Sequence, residues 1–363
     1  MKAQKAITPI KGFFKIFEYD LIGSSSISGL LSTTAPVIVN WGDGSTNIYN
    51  GANQSTSHSY SSSGNYTIKI FSKQKNCLTR FDNYTGNIYF NLSAIPTSLL
   101  TLYVISSNTI NGDISNLPSG FQTLIIHGSN TVTGDLANMP SSISYIEMYG
   151  SNTIYGSIDN ILSNTIVHFA IGGSNTISGD IANLPSSITG YILIYGSNTV
   201  TGDVLNIQGN PTLISITGSN TITGDISNIP TSVLQLDLIG SNTLYGNIEN
   251  LTATTTGVQL QGLNTVAGDV GLTTNNFTSI IMLGSGGPTA YTSRAWNNGI
   301  SDVLLSGSLS TSEIDQLLID LSAVTFGGGK TINLAYGANA PRSTTSDAAV
   351  LSLQAQGVTV TTF

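Results

Sequence analysis

Eight copies of one phrase, Ser-Asn-Thr-apolar-x-Gly-Asp-apolar with small variations, recur along this chain at intervals of 22 or 23 residues. They are anchored on Asn108, Asn130, Asn152, Asn175, Asn198, Asn220, Asn242 and Asn264. A unit this short cannot bury an apolar face by itself, so a fixed period restricts the chain to folds in which one coil stacks on the next.

The apolar positions say how a coil is built. Six and four residues before each asparagine, and two and six after it, every copy is apolar; around Asn130 these are Leu124, Ile126, Val132 and Leu136. A two-residue spacing puts Leu124 and Ile126 on one face of a strand. Four apolar ladders are therefore expected to line a continuous core. The asparagine amide, with a donor and an acceptor, is expected to satisfy backbone groups at the bend and in a neighbouring coil. Glycines such as Gly134 and Gly156 provide the next bend, and Pro118, Pro140, Pro185 and Pro230 leave no room for a long returning helix.

A column of carboxylates, Asp113, Asp135, Asp180, Asp203, Asp225 and Asp269, follows those glycines. Ser157 and Asn247 replace it in two copies, which suits turn capping better than an uninterrupted row of calcium ligands.

Asn130, Val132, Gly134 and Leu136 occupy the N-x-L-x-G-x-I places of a leucine-rich repeat, which the phrase resembles over about 170 residues. Because His127, Gly128 and Ser129 separate Ile126 from Asn130, one residue is inserted relative to that pattern, and another parallel β-solenoid remains the alternative cross-section. Asn83 to Pro96 reads as an imperfect entry coil and Asn276 to Leu283 as the start of an exit coil.

Ahead of the repeats, Trp41-Gly42-Asp43-Gly44-Ser45 marks a tight turn. His58 and Tyr60 follow, then the alternating strand Tyr66-Thr67-Ile68-Lys69-Ile70. In order and spacing these three elements resemble a PKD-like β-sandwich, a module that spaces or adheres. Asp43 is read as capping its own turn rather than holding a metal.

Behind the repeats, Ser310 and Glu313 form a capping box for a helix striped by Ile314, Leu317, Leu318 and Leu321. A strand from Thr331, a second helix from Thr344 or Asp347 to about Gln356 and a last strand near Val358 complete that region. It looks like terminal segments on repeat proteins of bacteriophages and Bacteroidetes-like bacteria.

The expected fold is mainly β: an N-terminal arm (1–29), a PKD-like β-sandwich (30–80), a parallel leucine-rich-repeat-like solenoid with 22–23-residue coils (81–285) and a small α/β C-terminal cap (286–363).

Only 8% of residues are charged, and 11 Lys and Arg against 19 Asp and Glu leave a formal charge of −8. That balance argues against a nucleic-acid partner. No 18-residue apolar run offers a membrane span, and no Sec-type leader pattern is read at the start. The single cysteine, Cys77, is expected as a small buried residue.

No catalytic constellation or cofactor motif emerges. His58, His127 and His168 are the only histidines, none at metal-ligand spacing, and the register is expected to keep His127 and His168 apart. Candidate binding residues are outward positions that break the repeat: His127, Glu147, Tyr149, Tyr191 and Tyr195. The loop holding Arg294 and Trp296 is a second candidate, for docking another subunit.

These features point to a non-enzymatic structural or adhesive component of a bacteriophage virion, such as a head fibre, decoration or tail-associated protein. Its expected partners are other virion proteins, a host-surface glycan or protein, and further copies through the N-terminal region. The alternatives are an extracellular adhesin on a bacterial surface and, less supported, a polysaccharide-processing enzyme.

Overall fold

Burial alternates from the first strand. In the computed structural model, which describes residues 12–284 and 286–363, β1 (Phe14–Asn40) and β2 (Thr46–Ser72) run antiparallel. Phe17, Tyr19 and Leu21, and later Ile27, Leu31, Val37 and Val39, face inward. Register shifts around Leu21–Ser24 and Thr33–Val37 bend β1, so the end of β2 pairs with it twice: Ser72 lies opposite both Phe14 and Val37. Residues 14–29, expected as an arm, are thus the first half of a paired strand, because their alternating apolar residues supply a buried face. The earlier part of that arm lies outside the described residues.

Aromatic rings fill the space beneath. Phe17 meets Phe81 and Phe90 edge to face at 5.1 and 5.3 Å, and Tyr19 packs on Phe81 at 5.0 Å. Trp41 is buried and stacks on His58, whose Nε2 lies 2.7 Å from Asp43 Oδ2. Asp43 accepts from the Ser45 N–H and hydroxyl, and the Tyr60 hydroxyl donates to the Trp41 carbonyl. Asp43 therefore caps its own turn, as expected. Burial opposes its charge, but these donors outweigh it and hold its carboxyl below the usual range.

β3 (Leu78–Thr85) and β4 (Ile88–Asn91) pair antiparallel with β1 and parallel with β5 (Thr101–Asp113), which starts the repeating ladder. β6 (Thr123–Asp135) and β7 (Tyr145–Ser157) follow in parallel, with Leu102, Leu124 and Ile146 in register and Val104, Ile126 and Met148 beside them. β8 is His168–Asp180. All four apolar ladders are buried, each of their residues 1% exposed or less. Full burial of one such Leu, Ile or Val is worth about 1.5–3 kcal/mol relative to leaving it exposed.

Asn130 and Asn152 each hold three coils at once, whereas the side-chain nitrogens of Asn220, Asn242 and Asn264 are buried without a hydrogen-bond partner among the described residues. Asn130 Oδ1 accepts from the Ile110 N–H of the coil before it at 3.0 Å, and its Nδ2 donates to the Tyr149 carbonyl of the coil after it at 3.1 Å. Asn152 repeats the arrangement with Val132 and Gly172. Each strand then turns through one turn of 3-10 helix, capped by the carboxylate column: Asp113, Asp135, Asp180, Asp203, Asp225 and Asp269 accept the N–H two residues on. Ser157 substitutes with its hydroxyl, while Asn247 makes no side-chain cap. Gly156 shows why glycine precedes the cap: its φ is +100°, and a Cβ there would come within 2.2 Å of Asp135 Oδ1.

Contacts divide the chain into two compact units, Met1–Ile177 and Ser178–Phe363. Within the second, β9 (Tyr191–Asp203) pairs parallel with β10 (Leu213–Gly218) and β11 (Thr221–Asp225), and these with β12 (Gln235–Tyr245). β13 (Gly257–Gly262), β14 (Ser279–Gly284) and β15 (Asp302–Gly307) extend the ladder. Helix α1 (Thr311–Ser322) and helix α2 (Asp347–Ala355) alternate with β16 (Thr331–Gly337) and β17 (Thr359–Thr361), which add two more parallel strands.

The helical cap thus continues the sheet, with α-helices taking over the return path from 3-10 turns. Glu313 accepts from the Ser310 N–H at 2.8 Å, and the stripe Ile314, Leu317, Leu318 and Leu321 is fully buried. Arg294 and Trp296 point inward: Arg294 donates to the Thr273 and Asn275 carbonyls and lies over the Trp296 ring.

Candidate functional site

Repeat positions are spent on construction, so outward positions carry whatever differs between coils. On β6–β8 these are the residues seven, five and three before each asparagine, which alternate with the core-facing pair, although on β8 they too are buried. They form a cluster. Glu147 stands in the middle, with His127 Nε2 2.8 Å from its Oε1 and His168 Nε2 3.6 Å from its Oε2. The Tyr145 hydroxyl donates to the same carboxylate at 3.3 Å.

Rings extend the group. Tyr145 stacks on His168 at 4.2 Å with planes 7° apart, and Tyr149 tilts against His127 at 4.9 Å. The neighbouring Gly172 leaves room for Tyr149, whose Cδ1 would lie 2.9 Å from a Cβ there. His127 keeps a third of its side chain exposed, Glu147 18% and His168 only 6%. Burial lowers the affinity of His168 for a proton, and the Glu147 charge partly offsets this.

Three of the five candidate residues, His127, Glu147 and Tyr149, therefore meet on one face of the first unit. Tyr191 and Tyr195 stand on β9 of the second, at the coil positions that Tyr145 and Tyr149 hold in theirs; Tyr191 is exposed and Tyr195 half-buried. His127 and His168 are linked through a third residue. Their coils are not adjacent, but Glu147 on the strand between reaches both.

Tyr145 and His168 were missed as members. The offset of two residues per strand from His127 through Glu147 to His168 was the signal that could have found them, since diagonal neighbours lie within reach of long side chains.

The arrangement offers aromatic surfaces beside a carboxylate held by donors. It can present stacking faces and accept hydrogen bonds on a fixed strand framework. Among the described residues no group of three or more His, Cys, Asp or Glu is placed to hold a metal ion, and no helix is long and apolar enough to cross a membrane.

Fold and site together define a mainly β repeat protein of solenoid-like construction with a side-chain cluster on its ladder. No protein-family profile matches the chain, and no curated protein does. Among solved structures it is similar to a plant peptide hormone receptor, RGFR1, in complex with RGF2, at 16% identity and a TM-score of 0.39, over 76% of this chain and 57% of that one. A plant ice-binding protein is matched at 15% identity and a TM-score of 0.32, over 53% of this chain and 62% of that one. The chain thus spans less than two thirds of either.

Proposed function

We propose that this chain is a non-catalytic structural and adhesive protein of a bacteriophage virion, a head fibre, decoration or tail-associated component. It binds a host-surface glycan or protein through the outward face of β6–β8. The observation that carries the reading is the cluster itself: His127, Tyr145, Glu147, Tyr149 and His168 break the repeat and converge on one face. A stacked aromatic pair beside a carboxylate is suited to sugar rings and hydroxyls, and aromatic side chains dominate protein recognition as well.

In this reading the ladder is leucine-rich-repeat-like, and the strands around Trp41, Asp43, His58 and Tyr60 are a PKD-like spacer. Mutual bonding among the residues that carry that resemblance supports the second part. Scarce charge and the resemblance of the terminal segments support the virion.

Two experiments test it. Detection of the intact chain in purified particles is expected, and abundance only in host cytosol would sink the virion assignment. On a glycan array and against host-surface proteins, Tyr145→Ala with Tyr149→Ala is expected to lower binding by at least about tenfold, because such anchors carry much of a small interface. Unchanged binding would reject this face. A bacterial surface adhesin is the second reading. It uses the same face, and antibody labelling of cells separates it from the first.

A further inference from the structure

Charge is divided unevenly along the chain. The first unit holds eight of the eleven Lys and Arg and eight of the nineteen Asp and Glu, and is formally neutral; residues 178–363 hold three and eleven and carry the whole −8. All eight cations of the first unit fall within residues 1–80.

Some of them rim an open groove of about 660 Å³ floored by Phe13, Phe14, Ile16 and Ile95 and bounded by Lys15 and Lys75. Lys75 Nζ lies 4.9 Å from the Phe14 ring and Lys73 Nζ 5.3 Å from Phe13. Lys15 and Lys69 share Glu18, but among the described residues no carboxylate lies within ion-pair distance of Lys73 or Lys75. Phe14 is 47% exposed. Among the described residues an exposed aromatic floor thus lies beside two lysines, Lys73 and Lys75, that have no carboxylate partner.

We propose that this groove binds a second copy of the chain head to tail, receiving an acidic surface of that copy's residues 178–363. Two identical grooves meeting face to face would set lysine against lysine, so a symmetric contact through this region is disfavoured. The second unit is the complementary surface available. It carries the entire net negative charge and exposes apolar side chains beside carboxylates that pair with no cation among the described residues, as Leu205 does two residues after Asp203. A contact between two different patches repeats from copy to copy and builds rings or open rows. This goes beyond the adhesive reading, which needs no self-association.

Sedimentation velocity of the full chain over a concentration series at low ionic strength tests it. The wild type is expected to associate as concentration rises. In Lys73→Glu with Lys75→Glu the half-association concentration rises at least about tenfold, with an intermediate shift for the Gln pair, and about 0.5 M salt weakens the wild type similarly. Circular dichroism checks that the variants stay folded. A wild type that remains monomeric at low salt, or association indifferent to both pairs of substitutions, overturns the proposal. So does a monomer that retains an acidic peptide or an oligonucleotide on these lysines instead.

Discussion

Asn152 shows how much one side chain holds. It is fully buried, accepts from the Val132 N–H at 3.0 Å and donates to the Gly172 carbonyl at 3.2 Å. Asn152→Ala leaves that N–H and that carbonyl without the amide between them. A loss of about 1–3 kcal/mol is expected in urea unfolding, against less than about 0.5 kcal/mol for the exposed Thr153→Ala. Equal effects would deny the amide its bridging role.

His168 adds a pH dependence. Its proton affinity is lowered in the fold by burial, so the unfolded chain takes up the proton first as pH falls. Its stabilising contribution is complete above the unfolded value of about 6.5 and declines as pH falls through the lower folded one. His168→Phe keeps a ring against Tyr145 but removes the proton. The variant's urea midpoint is expected to change less between pH 7 and pH 5 than the wild type's, and parallel profiles would contradict this. None of this was legible from histidine spacing, because the contacts run through Glu147 on an intervening strand.

Elements differ in how far the sequence specifies them. The 3-10 turns were readable as capped bends, since an Asp, Ser or Asn recurs where the N–H two residues on needs an acceptor. Asp225 is representative. The Ser227 N–H and hydroxyl hold its carboxyl below the usual range, with burial opposing them. The cap's contribution is present above the unfolded value of about 3.9 and is lost as pH falls through the depressed folded one. Asp225→Ala is expected to cost about 1 kcal/mol at pH 7, and the gap from wild type should close in acid. A gap that persists undiminished at low pH would refute the carboxylate's role.

β1 and β2 were far less legible. Each runs for 27 residues through serine-rich stretches such as Ser24-Ser25-Ser26. Polar composition there reads as turn, yet bulges let the strands bend and change partners while their backbone groups stay paired. The terminal helices were readable from a capping box and an apolar stripe. That their strands would extend the ladder was not, since a strand of the length of β17 carries no register of its own.

For the molecule as a whole, the period decided most of the fold: apolar residues repeated at four positions over eight copies admit few arrangements other than stacked coils. Function is written in residues that do not repeat, and a period is silent about those. One residue outside the repeat nevertheless reports on the fold of the first unit. Cys77 is the only cysteine and is fully buried, and its carbonyl accepts from the Thr34 N–H where β1 passes the start of β3. A thiol reagent reaches it only when the strands around it open, so labelling follows the opening equilibrium when reclosing is fast. The native chain is expected to stay unlabelled over a period in which the urea-unfolded chain takes up one equivalent. Asn152→Ala, in the same unit, should speed native labelling by about fivefold to 150-fold if its stability cost of about 1–3 kcal/mol is felt at Cys77. Rapid labelling of the native wild type would mean that β1 and β3 do not seal this thiol. Faster labelling in the variant would show that the loss of one amide in the ladder is felt as far as the antiparallel strands.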